Sequence, residues 1–405
     1  MIIEQLYPSM QHSLKNMTDR AEQYQNLGID AIWISPFYPS SGFDNGYDVK
    51  DFKDVDPRYG TLDDFKELVN EYHSRGMKVF IDLVINHCSI EHPLFKKARQ
   101  GSLKYMDMFH FAEEPLNDWE AIFGGSAWKY IPENDHYVFH AFTEGQIDFN
   151  FDNPDVWKLW CDVLRFWLLE MNVDGFRVDA LTHMAKNDWN TPKVDGDPGA
   201  SYRCAPKLEG YLEKLASMIH SIKPNAFIIG EANGCTIETA KKWINNHWMD
   251  CVIQFEHRGA FELEKTERKG DTLDCILAMK KWGDELGENN LSYLQCHDIA
   301  CAYNVLALDH KDIADLLFSQ KGHKIIYNFQ EWGMENQEWD NLEQINEVET
   351  FDRALKLKQL GVPEQQANAL AMQLSRENAR RPKINFDCDL RQHYRELIKK
   401  DKKGS

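Results

Sequence analysis

The chain has 405 residues, 43% of them hydrophobic, which is enough to bury one large α/β domain or two or three smaller ones and excludes a disordered protein. Asp and Glu outnumber Lys and Arg by 65 to 46, and the resulting charge of -19 repels phosphate backbones and anionic lipid, so no nucleic acid and no membrane is expected as a partner. The opening MIIEQLYPSM has no secretory pattern, no apolar run reaches the roughly 18 residues of a membrane span, and nine cysteines lie scattered without a CxxC pair, so the chain reads as cytoplasmic with reduced thiols and no zinc cage.

Short apolar runs alternate with amphipathic stretches, the pattern of βα units around a parallel sheet. Ile3 to Tyr7 is the first strand. The loop Pro8 to Asp19 is too poor in carboxylates to supply the six or more oxygens that calcium prefers, so no metal is expected there and no cofactor is implied. Ala31 to Ser35 (AIWIS) is the second strand, and Leu62 to Arg75 follows as a helix with Phe65, Leu68, Val69 and Tyr72 on one face and Gly76 at its end. Val79 to Ile85 is the third strand.

From Cys88 the βα rhythm stops, and residues 88–148 read as an inserted subdomain over one barrel mouth. It then resumes with helices at 156–171, 207–222, 237–246, 272–286 and 311–320, and strands at 175–178, 227–230, 251–254, 291–294 and 325–327. Eight strands close a (β/α)8 TIM barrel from residues 1–87 and 149–405. Extra C-terminal helices are expected at 343–360, 363–379 and 389–400.

In such a barrel the active site lies at the C-terminal strand ends, where four polar groups stand just after apolar runs. They are Asp82, Asn86 and His87 in DLVINH, Arg177 and Asp179 in DGFRVDA, Glu231 in FIIGEA, and His297 and Asp298 in LQCHD. A retaining glycosidase needs one carboxylate nucleophile and one carboxylic acid proton donor about 5 Å apart. Period-2 alternation puts Arg177 and Asp179 on one face, where the guanidinium would keep Asp179 ionised as a nucleophile. Glu231 follows an apolar run directly, and apolar company favours an acid that keeps its proton.

These four segments resemble the conserved regions of the α-amylase superfamily of retaining glycoside hydrolases. DNGYDVKDF (Asp44 to Phe52), NDWEAIFGGSAW (Asn117 to Trp128), QIDFN (Gln146 to Asn150) and SRENARRP (Ser375 to Pro382) are similar to its oligo-1,6-glucosidase, dextran glucosidase and α-glucosidase branch. The resemblance implies Asp179 as nucleophile, Glu231 as general acid/base and Asp298 as the third carboxylate. It places His87, Arg177 and His297 around the terminal glucose, Asp48 and Arg380 at its 4-hydroxyl, and Tyr47 in the pocket wall. The implied activity is exo-acting hydrolysis of short α-glucosidic oligosaccharides. A sucrose isomerase-like glucosyl transfer, a phosphorylated disaccharide as substrate, or a degenerate sugar-binding scaffold remain open as alternatives.

The chain departs from the pattern in places. Ala180 after the nucleophile tilts linkage preference toward α-1,4 or mixed bonds. Cys296 and Cys301 replace an Asn and an Arg of the family, and Lys324 and Phe329 are also unusual, changes expected on the acceptor side or in the support of Asp298. The family's C-terminal β-sandwich is missing from this sequence, so the exposed barrel flank is expected to be polar or covered by self-association.

Overall fold

The computed structural model describes residues 1–404. The chain divides into two compact units, one of Met1–Ser35, Glu71–Lys78 and Gln254 onward, the other of Pro36–Asn70 and Val79–Ile253. Among the described residues the main sheet has eight parallel strands: β1 (Ile2–Leu6), β2 (Ala31–Ile34), β3 (Lys78–Leu83), β4 (Gly175–Val178), β5 (Phe227–Glu231), β6 (Cys251–Ile253), β7 (Leu291–Ser292) and β8 (His323–Tyr327).

In the first unit β1 lies between β2 and β8, with Ile3 opposite both Ala31 and Ile325, and β7 pairs with β8. In the second the order is β3-β4-β5-β6, with Gly175 opposite both Phe80 and Phe227. The strands are buried almost throughout, which is why they read as continuous runs of Ile, Val and Phe. Gly175 has no alternative, because a Cβ there would stand 2.0 Å from the Phe227 carbonyl oxygen. Glu4, Gln5, Asp82 and Arg177 interrupt the apolar runs and are fully buried, an arrangement that packing alone would penalise.

The second unit also holds the segment after β3. There His87–Ser89 pairs antiparallel with Gln146–Asp148, and Phe111–Ala112, His136–Phe139 and Trp128–Ile131 form a three-stranded antiparallel sheet. Trp119, Trp128, Phe139 and Tyr202 make its small aromatic core, with Trp189 packed against them.

In the first unit the C-terminal helix Cys388–Gly404 buries Leu390, Tyr394 and Ile398. Ile398 fills the space above Gly28, and Asp401 pairs with Lys324 at 2.5 Å, Lys402 with Asp30 at 2.5 Å and His393 with Asp315 at 2.8 Å. No helix among the described residues is long and apolar enough to cross a membrane.

Several elements differ from the sequence expectation for identifiable reasons. β7 stops at Ser292, and in the loop beyond it the Gln295 side chain bonds the carbonyls of Cys296 and Ile299 and the N–H of Ala302. The helix expected at 363–379 is two, Glu364–Gln373 and Glu377–Arg380, separated where Ser375 and Arg376 turn to Glu347. The helix Pro154–Arg165 runs into a π-helical turn, Phe166–Glu170. Leu14–Asp19 and Ala21–Leu27 are helices of six and seven residues, too short to show a periodic signal, the first capped by Ser13 accepting from the Asn16 N–H.

Candidate active site

In the second unit one guanidinium organises the site. The register sets Asp82 on β3 opposite Arg177 on β4. Arg177 Nη1 donates to Asp82 Oδ1 at 2.6 Å and to Asp179 Oδ1 at 2.5 Å, while Nη2 donates to Glu231 Oε1. The second Glu231 oxygen accepts the Ala180 N–H at 2.8 Å, and Ala180 itself sits in the left-handed region at φ 46°. A non-glycine residue there costs about 1 kcal/mol or more, strain of the kind that collects at functional sites. Tyr47 lies over the guanidinium at 5.8 Å, and its hydroxyl faces Asp82 Oδ2 at 3.5 Å.

Two expectations change here. Glu231 is not in apolar company, since a cation and a backbone N–H meet its two oxygens. Asp179 is not simply held ionised by Arg177: burial pushes its carboxyl well above the usual range, Glu231 and Asp82 push the same way, and Arg177 opposes them. Three carboxylates share one buried cation, so negative charge is in excess around Arg177.

A second polar centre in the same unit surrounds Asp148. Its Oδ2 meets the Lys186 ammonium at 2.7 Å and accepts from Asn86 Nδ2 at 2.8 Å, and its Oδ1 accepts the Ala141 N–H at 2.8 Å. Lys186 also donates to Asn86 Oδ1 at 3.0 Å and to the His183 carbonyl, so an ammonium occupies a cage of oxygens. Asn86 thus acts as a hydrogen-bonding loop residue. His87 donates from Nε2 to the Tyr47 carbonyl at 3.1 Å, and burial lowers its pKa, leaving a neutral imidazole.

Asp48 was expected at the sugar, but its oxygens accept from Ser40 Oγ at 2.6 Å, the Ser41 N–H at 2.8 Å and the Asp44 N–H at 3.2 Å. It is fully buried and pins its own loop. Asp44, which sequence reasoning passed over, accepts from Gln146 at 3.2 Å and is close enough to His87 to act on its charge. Its position three residues before Tyr47 in the same quoted segment was the available signal.

In the first unit Gln5 on β1 donates to Ser35 Oγ at 3.0 Å and to His297 Nδ1 at 2.8 Å, and His297 stacks on Tyr7 with centroids 5.6 Å apart. His297 Nε2 is 3.4 Å from Asp298 Oδ1. Arg376 Nη1 stands 3.5 Å and Arg380 Nη2 3.8 Å from the same oxygen, and Arg258 Nη2 donates to the Asp298 carbonyl at 3.2 Å. Burial alone would raise the Asp298 carboxyl, but His297, Arg258, Arg376 and Arg380 together hold it far below the usual range. Arg376 is itself held by Glu347 and by Glu349 at 2.9 Å, and with Thr350 and Ser375 it helps keep Glu347 down at about 2 against the effect of burial. Arg258, Arg376 and Glu347 were not singled out in the sequence, because nothing local pairs them with Asp298.

The unusual residues fall in different places. Cys296 accepts the Asp298 N–H at its sulfur, 3.5 Å away. Cys301 is fully buried in a cluster with Tyr7, Tyr327, Met334 and Ala379, and Lys324 directs its ammonium to Asp401 and the Gly322 carbonyl. Phe329 takes a left-handed conformation at φ 65° with Arg20 over its ring. Among these, Cys296 is the one bonded to Asp298.

The family profile described as the alpha amylase catalytic domain matches residues 10–388. The chain is 30% identical to the oligo-1,6-glucosidase of Halalkalibacterium halodurans over 94% of its own length and 73% of the relative's. It is 28% identical to the trehalose-6-phosphate hydrolase of Bacillus subtilis, covering 96% of this chain and 74% of the other. Among solved structures, the trehalose-6-phosphate hydrolase of Bacillus licheniformis superposes with a TM-score of 0.88 at 27% identity, covering 99% of this chain and 83% of that one. The trehalulose synthase of Pseudomonas mesoacidophila MX-45 gives 0.89 at 25% identity, with the same coverage of 99% and 83%. The fold is a (β/α)8 barrel.

Proposed function

Because the chain belongs to the family of the alpha amylase catalytic domain and is a glycoside hydrolase, we propose that it is a retaining, exo-acting α-glucosidase for short oligosaccharides of maltose or isomaltose type. The observation that carries the reading is the Arg177 fork, whose two terminal nitrogens bring Asp179 and Glu231 to one place. In this reading Asp179 attacks the anomeric carbon, and Glu231 delivers a proton to the leaving oxygen. Water then releases the glucosyl group from Asp179 as Glu231 takes a proton back.

Asp298, kept anionic by its cationic neighbours, is assigned to the sugar hydroxyls and the ring charge that develops in the transition state. The resemblance assigns His87, Arg177, His297 and Arg380 to the terminal glucose and Tyr47 to the pocket wall, and Asp44 takes the place expected of Asp48. Residues 88–148 are the inserted subdomain in this scheme.

The test follows glucose release from maltose and isomaltose by NMR. The α-anomer should appear first, and D179N should abolish release; a β-anomer first, or undiminished turnover by D179N, would overturn the assignment. Two observations favour keeping other outcomes in the same experiment. The trehalulose synthase superposes as well as the hydrolase does, and a trehalose-6-phosphate hydrolase is among the relatives. Sucrose converted to an isomer without free glucose would make the chain a glucosyl transferase, and turnover confined to trehalose 6-phosphate would replace the substrate class.

A further inference from the structure

We infer that the helix Val348–Gln359 is a contact between two copies of this chain, the helix of each copy lying antiparallel against that of the other across a two-fold axis. The inference does not depend on the function proposed above.

The helix has two apolar faces where packing within the chain uses one. Thr350, Ala354 and Leu357 are buried and hold it to the rest of its unit. On the opposite side Val348, Phe351 and Leu355 are 61%, 43% and 51% exposed, and Leu360, just past the helix end, is 54% exposed. Positions 348, 351 and 355 stand three and four residues apart, so their side chains form one stripe along the helix with the seam spacing of paired helices. A surface helix ordinarily turns charged residues outward there. Four large side chains exposed to this extent present on the order of 400 Å2 of apolar surface, a size at which a patch marks an interaction site.

The charges beside the stripe decide what covers it. With about 3.6 residues per turn, Asp352 and Lys356 lie along one edge of the stripe and Lys358 along the other. Asp352 and Lys356 pair with each other at 2.6 Å within the helix. A two-fold axis crossing the stripe between Phe351 and Leu355 sets Phe351 of each copy against Leu355 of the other. The same rotation brings the two Asp352 edges together running in opposite directions. Asp352 of each copy then comes beside Lys356 of the other, and the two pairs close into a ring of alternating charge. A parallel pairing instead turns the Lys356 edge toward Lys358 of the second copy, like charge against like.

The Asp352 edge is acidic and then basic along the helix, so reversed it is its own complement. A surface fitted to a different protein has no need of that symmetry, which is why the occupant is a second copy. The formal charge of -19 opposes any association that lacks such local pairing, so the exposed stripe does not simply aggregate. The helix has 12 residues and is about 18 Å long. Its contact therefore falls short of the roughly 800 Å2 per partner of a standard interface, and the dimer should be reversible, at about 10–100 µM.

The test is sedimentation velocity of the intact chain between about 1 µM and about 200 µM, a range that brackets that affinity. The mean mass should climb from that of one copy toward that of two, and F351E should hold it at one copy throughout. D352K alone and K356D alone should each lose association, and an equimolar mixture of the two should regain it, because one edge is then wholly basic and the other wholly acidic. A chain that stays single at every concentration, or F351E that associates as the parent does, would overturn the contact. Association strengthened by K356D would place Lys356 against Lys358 and overturn the antiparallel arrangement. Far-ultraviolet dichroism checks that each variant is folded, and L355E serves if F351E is not.

Discussion

Asp179 is buried just past β4 and Asp298 is partly buried in the loop after β7, and their surroundings push them in opposite directions. In the second unit Asp82, Asp179 and Glu231 share one arginine, so negative charge is in excess around it. In the first unit Arg258, Arg376, Arg380 and His297 all act on one aspartate, and together they hold its carboxylate ionised. Residue type therefore says little about role; the count of opposite charges on the same cluster says much more.

The comparison breaks most visibly if Asp179 is removed. D179N should lower kcat on an aryl α-glucoside by about 10⁴-fold or more, as loss of a nucleophile does elsewhere, and a loss below tenfold would mean the acid-rich cluster is not the reacting centre. D298N should cost less, about 10²- to 10³-fold in kcat/KM, the range for one group that stabilises transition-state charge. Equal losses for the two substitutions would erase the distinction between the clusters.

A third test leaves both clusters in place and breaks a buried pair in the second unit. K186M strands Asp148 without its cation and should destabilise the fold by about 3–5 kcal/mol in urea unfolding; a change under 1 kcal/mol would show that the ammonium is dispensable. D82N sharpens the account of the shared cation. Removing one negative neighbour should let Asp179 ionise at lower pH, so the acid limb of kcat/KM should move downward; an upward movement would contradict the assigned cause.

The smallest effect concerns stability in acid. Burial holds His92 and His110 at about 4, below the 6.5 of the unfolded chain. Between those values the unfolded state binds more protons, so stability falls as pH falls through the window, by up to about 1.4 kcal/mol per pH unit for each group. H92N keeps an acceptor for the Leu94 N–H but does not titrate, and should flatten that slope.

The eight strands were legible because buried parallel strands must be apolar runs, and Asp179 and Glu231 because each directly follows such a run. β7 was read two residues too long, since Tyr293 and Leu294 continue the apolar run and are buried without being paired in the sheet. Asp48 and Asp44 sit in one short segment, and which of them is used up by its own loop depends on the path from Ser40 to Asp48. Arg258, Arg376 and Glu347 come from segments 40 to 78 residues from Asp298 on either side in chain order, and only the folded chain reveals the pairing. The Lys324 ammonium was legible as unusual but not as the partner of Asp401.

Lys186 carries a further consequence. A cage of oxygens around a positive charge ordinarily depends on what the medium supplies, and empties when the medium is depleted. Here the charge is tethered to the backbone and cannot diffuse away, so dilution and chelating agents have no purchase on it, and whatever the Asp148 centre holds together stays held in any ionic environment that keeps the amine protonated.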